Sequence, residues 1–274
     1  MSERVGIGGH PAGFAATVRD DRWWVGPLLT VLGLGAFAVY STWAALQGSH
    51  YYHGPYLSPF YSPLLWVDPG APGAAPLSHA WFGRWPDWWP SVLPSSPAIL
   101  ILIFPLGFRA TCYYYRKAYY RSFFGAPPAC AVAPVPRRGY KGETSLLLVQ
   151  NLHRYAFYFA VAFIFILYYD AFRAFFRGGK FGVGVGSLVL LINPTLLALY
   201  TFGCHSYRHL VGGGLDCFSC DRLSNFRHGV WKRVTFLNER HMGFAWVSLF
   251  WVAFADLYVR LVSMGILKDF STGG

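Results

Sequence analysis

Cys112, His153, Cys204 and His241 are the side chains of this sequence best suited to hold an electron carrier, because each falls near one end of a different long apolar segment. Cys112 stands four residues before Arg116 and Cys204 four before Arg208. On a helix rising 1.5 Å per residue, each thiol would lie about 6 Å beneath a basic rim. His153 and His241 fall at a similar level. Two thiolates and two neutral imidazoles suit tetrahedral zinc. They also suit a two-iron, two-sulfur cluster with cysteines on one iron and histidines on the other, a ligation that raises the reduction potential. Zinc has no redox chemistry. The competing redox reading is a haem held by two of His153, His209 and His241, with Cys112 and Cys204 as packing residues.

The remaining reactive residues sort around this set. His205 and His209 are four apart and share one helix face, while Cys204 and Arg208 share a neighbouring one. If Cys204 is a ligand, His205 and His209 line a quinone or proton path, or meet a partner. Arg109 lies two turns deeper than Arg116 and needs a carboxylate, a carbonyl or a ligand. A quinone needs an apolar slot with a few polar groups. Arg109, His205 and His209 offer these at the inner face, and His50, Tyr56 and Tyr61 at the outer. The sequence does not choose between the two. CFSC at 217–220 has zinc-knuckle spacing, which His209 and His228 could complete, and Cys130 could replace another thiolate. Five cysteines in inner halves of helices or inner loops favour metal ligation over disulfides. Asp170 and Asp256 are a sparse set of intramembrane carboxylates, against a proton-coupled transporter.

Five apolar stretches must position these groups. The composition is 54% hydrophobic and 13% charged, with the charges almost entirely outside the stretches. Each stretch can cross a hydrocarbon core of about 30 Å, and lipid admits such segments only as helices. The expected fold is an all-α integral membrane protein, one domain over 1–274. Its five transmembrane helices run at about 25–46, 98–120, 146–173, 184–209 and 238–263, with an ordered, non-helical outer loop over 47–97 rich in Pro, Trp and Tyr. Lys and Arg number 15 in the tail and the segments near 116–145 and 206–240, against 6 in the outer segments, helix ends included. This bias puts the N-terminus in the cytoplasm and the C-terminus outside. It also assigns the net charge of +11 to membrane orientation, anionic lipid and acidic partner subunits rather than to nucleic acid. The 24-residue flank with Asp20 and Asp21 argues against a cleaved signal peptide.

RATCYYYRKAYYR (109–121), QNLHRY (150–155), CHSYRHLVGG (204–213), RHMGFAW (240–246) and the outer SPFYSP (58–63) carry a family likeness. With these motifs the chain resembles the single-chain membrane anchor of actinobacterial succinate dehydrogenases. The resemblance implies a multi-pass subunit of respiratory complex II in the bacterial plasma membrane. Flavoprotein and iron-sulfur subunits would dock on its cytoplasmic face, and electrons from succinate would end on menaquinone or ubiquinone. It also implies a redox centre at Cys112, His153, Cys204 and His241, a Rieske-type two-iron, two-sulfur cluster in this branch, with haem b as the alternative. CFSC and the YRH at 207–209 depart from the family pattern, against a zinc site using those cysteines. No Rossmann glycine motif or ferredoxin-type cysteine run is present, so flavin and soluble clusters belong to partners, and succinate itself is not oxidised here. A transporter or channel, or a lipid-binding scaffold, are the alternatives from other classes.

Overall fold

A computed structural model describes residues 13–135 and 151–272. The expected start of the third helix at 146 lies outside the described residues, as do Arg137, Arg138 and Lys141 of the inner basic loop.

The chain is mostly helical. In order it forms α1 (Val25–Gln47), a hairpin of β1 (Tyr52–His53) and β2 (Tyr56–Leu57), α2 (Ala98–Thr111) and α3 (Tyr113–Phe123). Then come α4 (His153–Arg173), a second hairpin of β3 (Phe176–Arg177) and β4 (Lys180–Phe181), α5 (Val185–Phe202), α6 (His205–Gly212), α7 (Arg222–Glu239) and α8 (His241–Ser263). Four of these, α1, α4, α5 and α8, are each long and apolar enough to cross a membrane. The segment expected as one continuous second span is instead two helices bent by 68° at Cys112. The fourth expected helix is likewise interrupted, at Gly203 and Cys204, before α6 resumes.

Two compact units divide the chain: residues up to Val39 with Arg109–His153, and Tyr40–Phe108 with Arg154–Gly274. In the first, residues 15–17 pair with 131–133: Ala133 N donates to Ala16 O at 2.9 Å and the Thr17 hydroxyl to Ala131 O at 2.7 Å.

In the second unit α5 and α8 pack on one another along their length. Val189 of α5 and Ala255, Tyr258 and Val262 of α8 form one apolar cluster; Tyr56, Ala171, Ala174, Leu190 and Val259 form another. Gly186 lets the Tyr56 ring lie against α5. A Cβ on Gly186 would meet the Tyr56 ring at 2.5 Å. The segment 47–97 is folded against the helices rather than hanging from them. Tyr51, Tyr56 and Tyr61 are each at most 1% exposed, and the Tyr51 and Tyr61 rings stack at 4.3 Å.

Buried charge in this unit is met from within. Asp256 and Arg260, one turn apart on α8, pair at 3.4 Å. The Tyr40 hydroxyl donates to Asp256 at 2.6 Å and the Ser58 hydroxyl donates to its other oxygen. Arg260 in turn donates to Ser49 O at 2.9 Å and Ala44 O at 3.4 Å. Those carbonyls are at and just beyond the C-terminal end of α1, where helical partners run out and a cation opposes the helix dipole. Asp170, the other intramembrane carboxylate, accepts from the Ser62 hydroxyl.

Candidate redox site

Both cysteines singled out by the sequence occupy breaks, not helix interiors. Cys112 has φ −64° and ψ 133°, an extended residue that caps α3, and Arg116 N donates to its carbonyl at 2.9 Å. Cys204 has φ −77° and ψ 158° and caps α6; Arg208 N donates to its carbonyl at 3.2 Å and Tyr207 N to its sulfur at 3.4 Å. Ser, Thr, Asp and Asn usually take this position, because their oxygens accept from the first-turn amides. At Cys204 sulfur takes that role.

A histidine lies beside each break. In the first unit the Thr111 hydroxyl, one residue before Cys112, lies 2.9 Å from His153 Nδ1. That contact sets the ring's orientation, as the outer hydrogen bond of a ligating histidine does. In the second, Gly203, one residue before Cys204, runs against His241. A Cβ there would meet Leu199 O at 2.9 Å, Leu237 O at 3.0 Å and His241 Nδ1 at 3.3 Å, so only glycine lets the backbone approach. Asn238 Nδ2 holds Gly203 O at 2.9 Å, and the Tyr200 ring stacks on the His241 ring with centroids 4.9 Å apart. Thr111, Gly203, Tyr200 and Asn238 thus surround the two histidines, and the sequence did not single them out. Only the glycine before Cys204 carried a readable signal, since glycine commonly ends a helix.

The four donors fit a thiolate–imidazole group in kind. Exposures of 3%, 8%, 1% and 9% for Cys112, His153, Cys204 and His241 keep all four out of bulk solvent. They are held as two Cys/His pairs, one per unit. Among the described residues no three or more His, Cys, Asp or Glu side chains cluster as a metal site.

The other candidates are distributed as follows. Arg109 is buried and donates to the Tyr115 hydroxyl at 2.8 Å. His205 and His209 are exposed on α6 and, with Arg208, Gly212, Gly213 and Trp231, line one cavity of about 330 Å³. Arg208 lies over the Trp231 ring at 4.3 Å. His50 adopts φ 53° and is half-buried. Tyr56 and Tyr61 are fully buried and bonded internally, Tyr56 to Asp269 at 2.6 Å and Tyr61 to Ala44 O at 2.8 Å. Cys130 is exposed, and its carbonyl accepts from Arg19 at 2.8 Å.

The zinc-knuckle reading of 217–220 is corrected. Cys217 and Cys220 form a disulfide, against the expectation that metal ligation would prevail over disulfides, and His228 stacks on Phe218 at 4.5 Å. Their Cα atoms lie 5.7 Å apart, within the range a disulfide spans.

The sequence family described as actinobacterial succinate dehydrogenase subunit SdhC matches residues 25–265. The chain belongs to this family. A solved relative from Mycobacterium smegmatis, described as the Sdh1 complex in the apo form, is 46% identical over 92% of each chain, with a TM-score of 0.80. No curated protein matches the sequence. This SdhC-family chain is therefore the membrane anchor subunit of a succinate dehydrogenase, a multi-pass protein of the bacterial plasma membrane. The transporter, channel and scaffold alternatives fall with that assignment.

Proposed function

We propose that the anchor carries electrons from a docked iron-sulfur subunit to a membrane quinone, with Cys112, His153, Cys204 and His241 as ligands of a Rieske-type two-iron, two-sulfur cluster. The observation that carries this reading is the repeated arrangement at the two helix breaks: a buried cysteine caps a short helix, and a histidine lies beside the residue before it. Such a group, when bound, supplies one-electron transfer at a potential raised by its imidazole ligands.

The chain's own residues do the rest. The breaks turn both sulfurs out of the regular helical ladder. Thr111 engages His153 Nδ1, leaving Nε2 as the ring's second nitrogen. Stacking on Tyr200 restrains the His241 ring, and burial of all four donors excludes water, which would ease loss of the ligands by protonation.

Partner subunits are proposed in the same sense. The Mycobacterium smegmatis relative belongs to an Sdh1 complex, which supports assembly of this chain with flavoprotein and iron-sulfur subunits. The basic bias supports their docking on the cytoplasmic side, with α2 and α3 together making a fifth crossing and the C-terminus outside. For the quinone, the α6 cavity is favoured over the outer tyrosines, because His205 and His209 face it while Tyr56 and Tyr61 are engaged inside the fold.

Iron, acid-labile sulfide and haem measured in the purified complex, after subtracting what the separated soluble subunits hold, test the proposal. A two-iron paramagnetic signal that disappears in both Cys112→Ser and Cys204→Ser is the expected result. A Soret absorber lost in His153→Ala, with iron-sulfur content unchanged in both cysteine variants, would replace the cluster with haem b.

A further inference from the structure

Two cavities open side by side in the second unit and share His79 and Arg173. The first, about 310 Å³, is walled by Leu64, Trp81, Phe165, Ile166 and Tyr169. Phe165 and Tyr169 are 68% and 61% exposed on α4, a membrane-crossing helix, so this chamber opens toward acyl chains. The second, about 600 Å³, is bounded by Tyr52, Pro55, Arg177 and the turn Gly178–Gly179, outside the helical span. One end is apolar and the other basic.

The junction is built for an anion. Arg173 is exposed in the last turn of α4, its guanidinium 5.7 Å from the centre of the Tyr169 ring. Among the described residues it has no carboxylate at ion-pair distance. His79 lines both cavities; its Nδ1 is buried without a hydrogen-bond partner, and its ring stands edge-on to Tyr52 at 5.0 Å. Burial, and then the Arg173 charge, hold its pKa below the ordinary histidine value, so the ring is neutral and can donate through one nitrogen. The neighbouring acids are engaged elsewhere: Asp170 accepts from Ser62, and Asp269 is held by Arg177, Tyr56 and Tyr258.

We propose that this double cavity binds an anionic phospholipid, its phosphate on Arg173 and His79 and one acyl chain along Phe165, Ile166 and Tyr169. Free phosphate shares the headgroup chemistry but has no use for the apolar chamber. A quinone would use the chamber but, being neutral, would not depend on the Arg173 charge.

The test uses the full complex in nanodiscs of equal parts phosphatidylglycerol and phosphatidylcholine, re-extracted into detergent, with co-purifying lipid quantified by mass spectrometry. Phosphatidylglycerol should be retained about tenfold over phosphatidylcholine. Arg173→Gln should abolish that preference, Arg173→Lys should keep it, and Ile166→Trp should expel the lipid by filling the chamber without changing charge. Arg173 is exposed and Ile166 half-buried, and a helical melting curve matching the parent confirms folding. Equal retention of both lipids, or retention unchanged in Arg173→Gln and Ile166→Trp, would overturn the site. Displacement of the lipid by millimolar inorganic phosphate would reassign it to free phosphate.

Discussion

The two ends of α8 meet the membrane interior with different polar chemistry. Toward its C-terminus Asp256 and Arg260 are at most 2% exposed, and each is bound by the other and by groups of α1 and the 47–97 segment. At its N-terminus His241 is set by a stacked tyrosine and the backbone of a glycine, next to a buried thiol. The first arrangement meets charge with charge and binds a loop to two helices. The second restrains an imidazole ring, which is what the proposed redox ligand requires. Substitutions at the two ends should therefore separate stability from electron transfer.

The largest effect is expected at the charged end. Asp256→Leu leaves the Arg260 guanidinium buried without its carboxylate, a loss of about 3–5 kcal/mol. Denaturation in detergent should show a collapsed or absent transition, and yield from membranes should fall. Asp256→Leu with Arg260→Met should recover most of that loss, since no lone charge remains. A double variant as unstable as the single one would mean that the bonds to Tyr40 and Ala44, rather than the ion pair, hold this end.

At the histidine end, Gly203→Ala forces a Cβ to within 3.0 Å of two carbonyl oxygens. The backbone must move away from His241, costing about 1–3 kcal/mol. The expected signature is a moderate drop in melting temperature with a disproportionate loss of succinate-driven quinone reduction and of bound iron. Loss of stability with iron content intact would make Gly203 a packing residue only. Tyr61→Phe is its structural counterpart. It removes one donor to Ala44 O, which keeps the Arg260 guanidinium, and the acceptor for the half-buried Gly48 N, at about 1 kcal/mol. Quinone reduction per folded molecule should be unchanged.

These contrasts also separate what the sequence discloses from what it hides. Hydropathy discloses α1, α8 and the start of α5 to within a few residues, because lipid forces backbone bonding inside each segment. The break at Cys112 is hidden. Pro105 and Gly107, the residues that would announce a bend, both lie inside α2, and the break falls between Thr111 and Tyr113. The candidate side chains are read from the sequence by type and spacing. Their supports, Thr111 and Tyr200, are not, since a threonine or tyrosine in an apolar run has no local mark of its tertiary partner. The disulfide was hidden for a similar reason: CFSC spacing permits either a metal or a bond, and the fold of the turn decides.

A smaller, pH-dependent effect separates the C-terminal segment from both ends of α8. Asp269 is buried, which alone would raise its pKa, but the hydroxyls of Tyr258 and Tyr56, the Gly186 amide and the Arg177 guanidinium together hold it below the usual carboxylate value. A depressed folded-state pKa gives stability that is complete above the unfolded value near 3.9 and lost as pH falls through the folded one. Proteolysis of residues 264–272 should therefore accelerate only below about pH 4. Asp269→Asn should show faster cleavage at neutral pH and little further change on acidification. An unchanged acid response in that variant would place the titrating group elsewhere.

The smallest stability effect belongs to α6, and it is the sharpest functional test of the comparison. His205 and His209 are exposed, so alanine at either should alter the melting transition by no more than about 0.5 kcal/mol. If their cavity receives the quinone, succinate oxidation with an artificial acceptor that bypasses the anchor should be unaffected. KM for the quinone should rise in His209→Ala, because an interaction made equally in the bound and reacting states is lost. A fall in turnover with both acceptors would instead implicate α6 in docking the soluble subunits, and unchanged kinetics would move the quinone away from this cavity altogether.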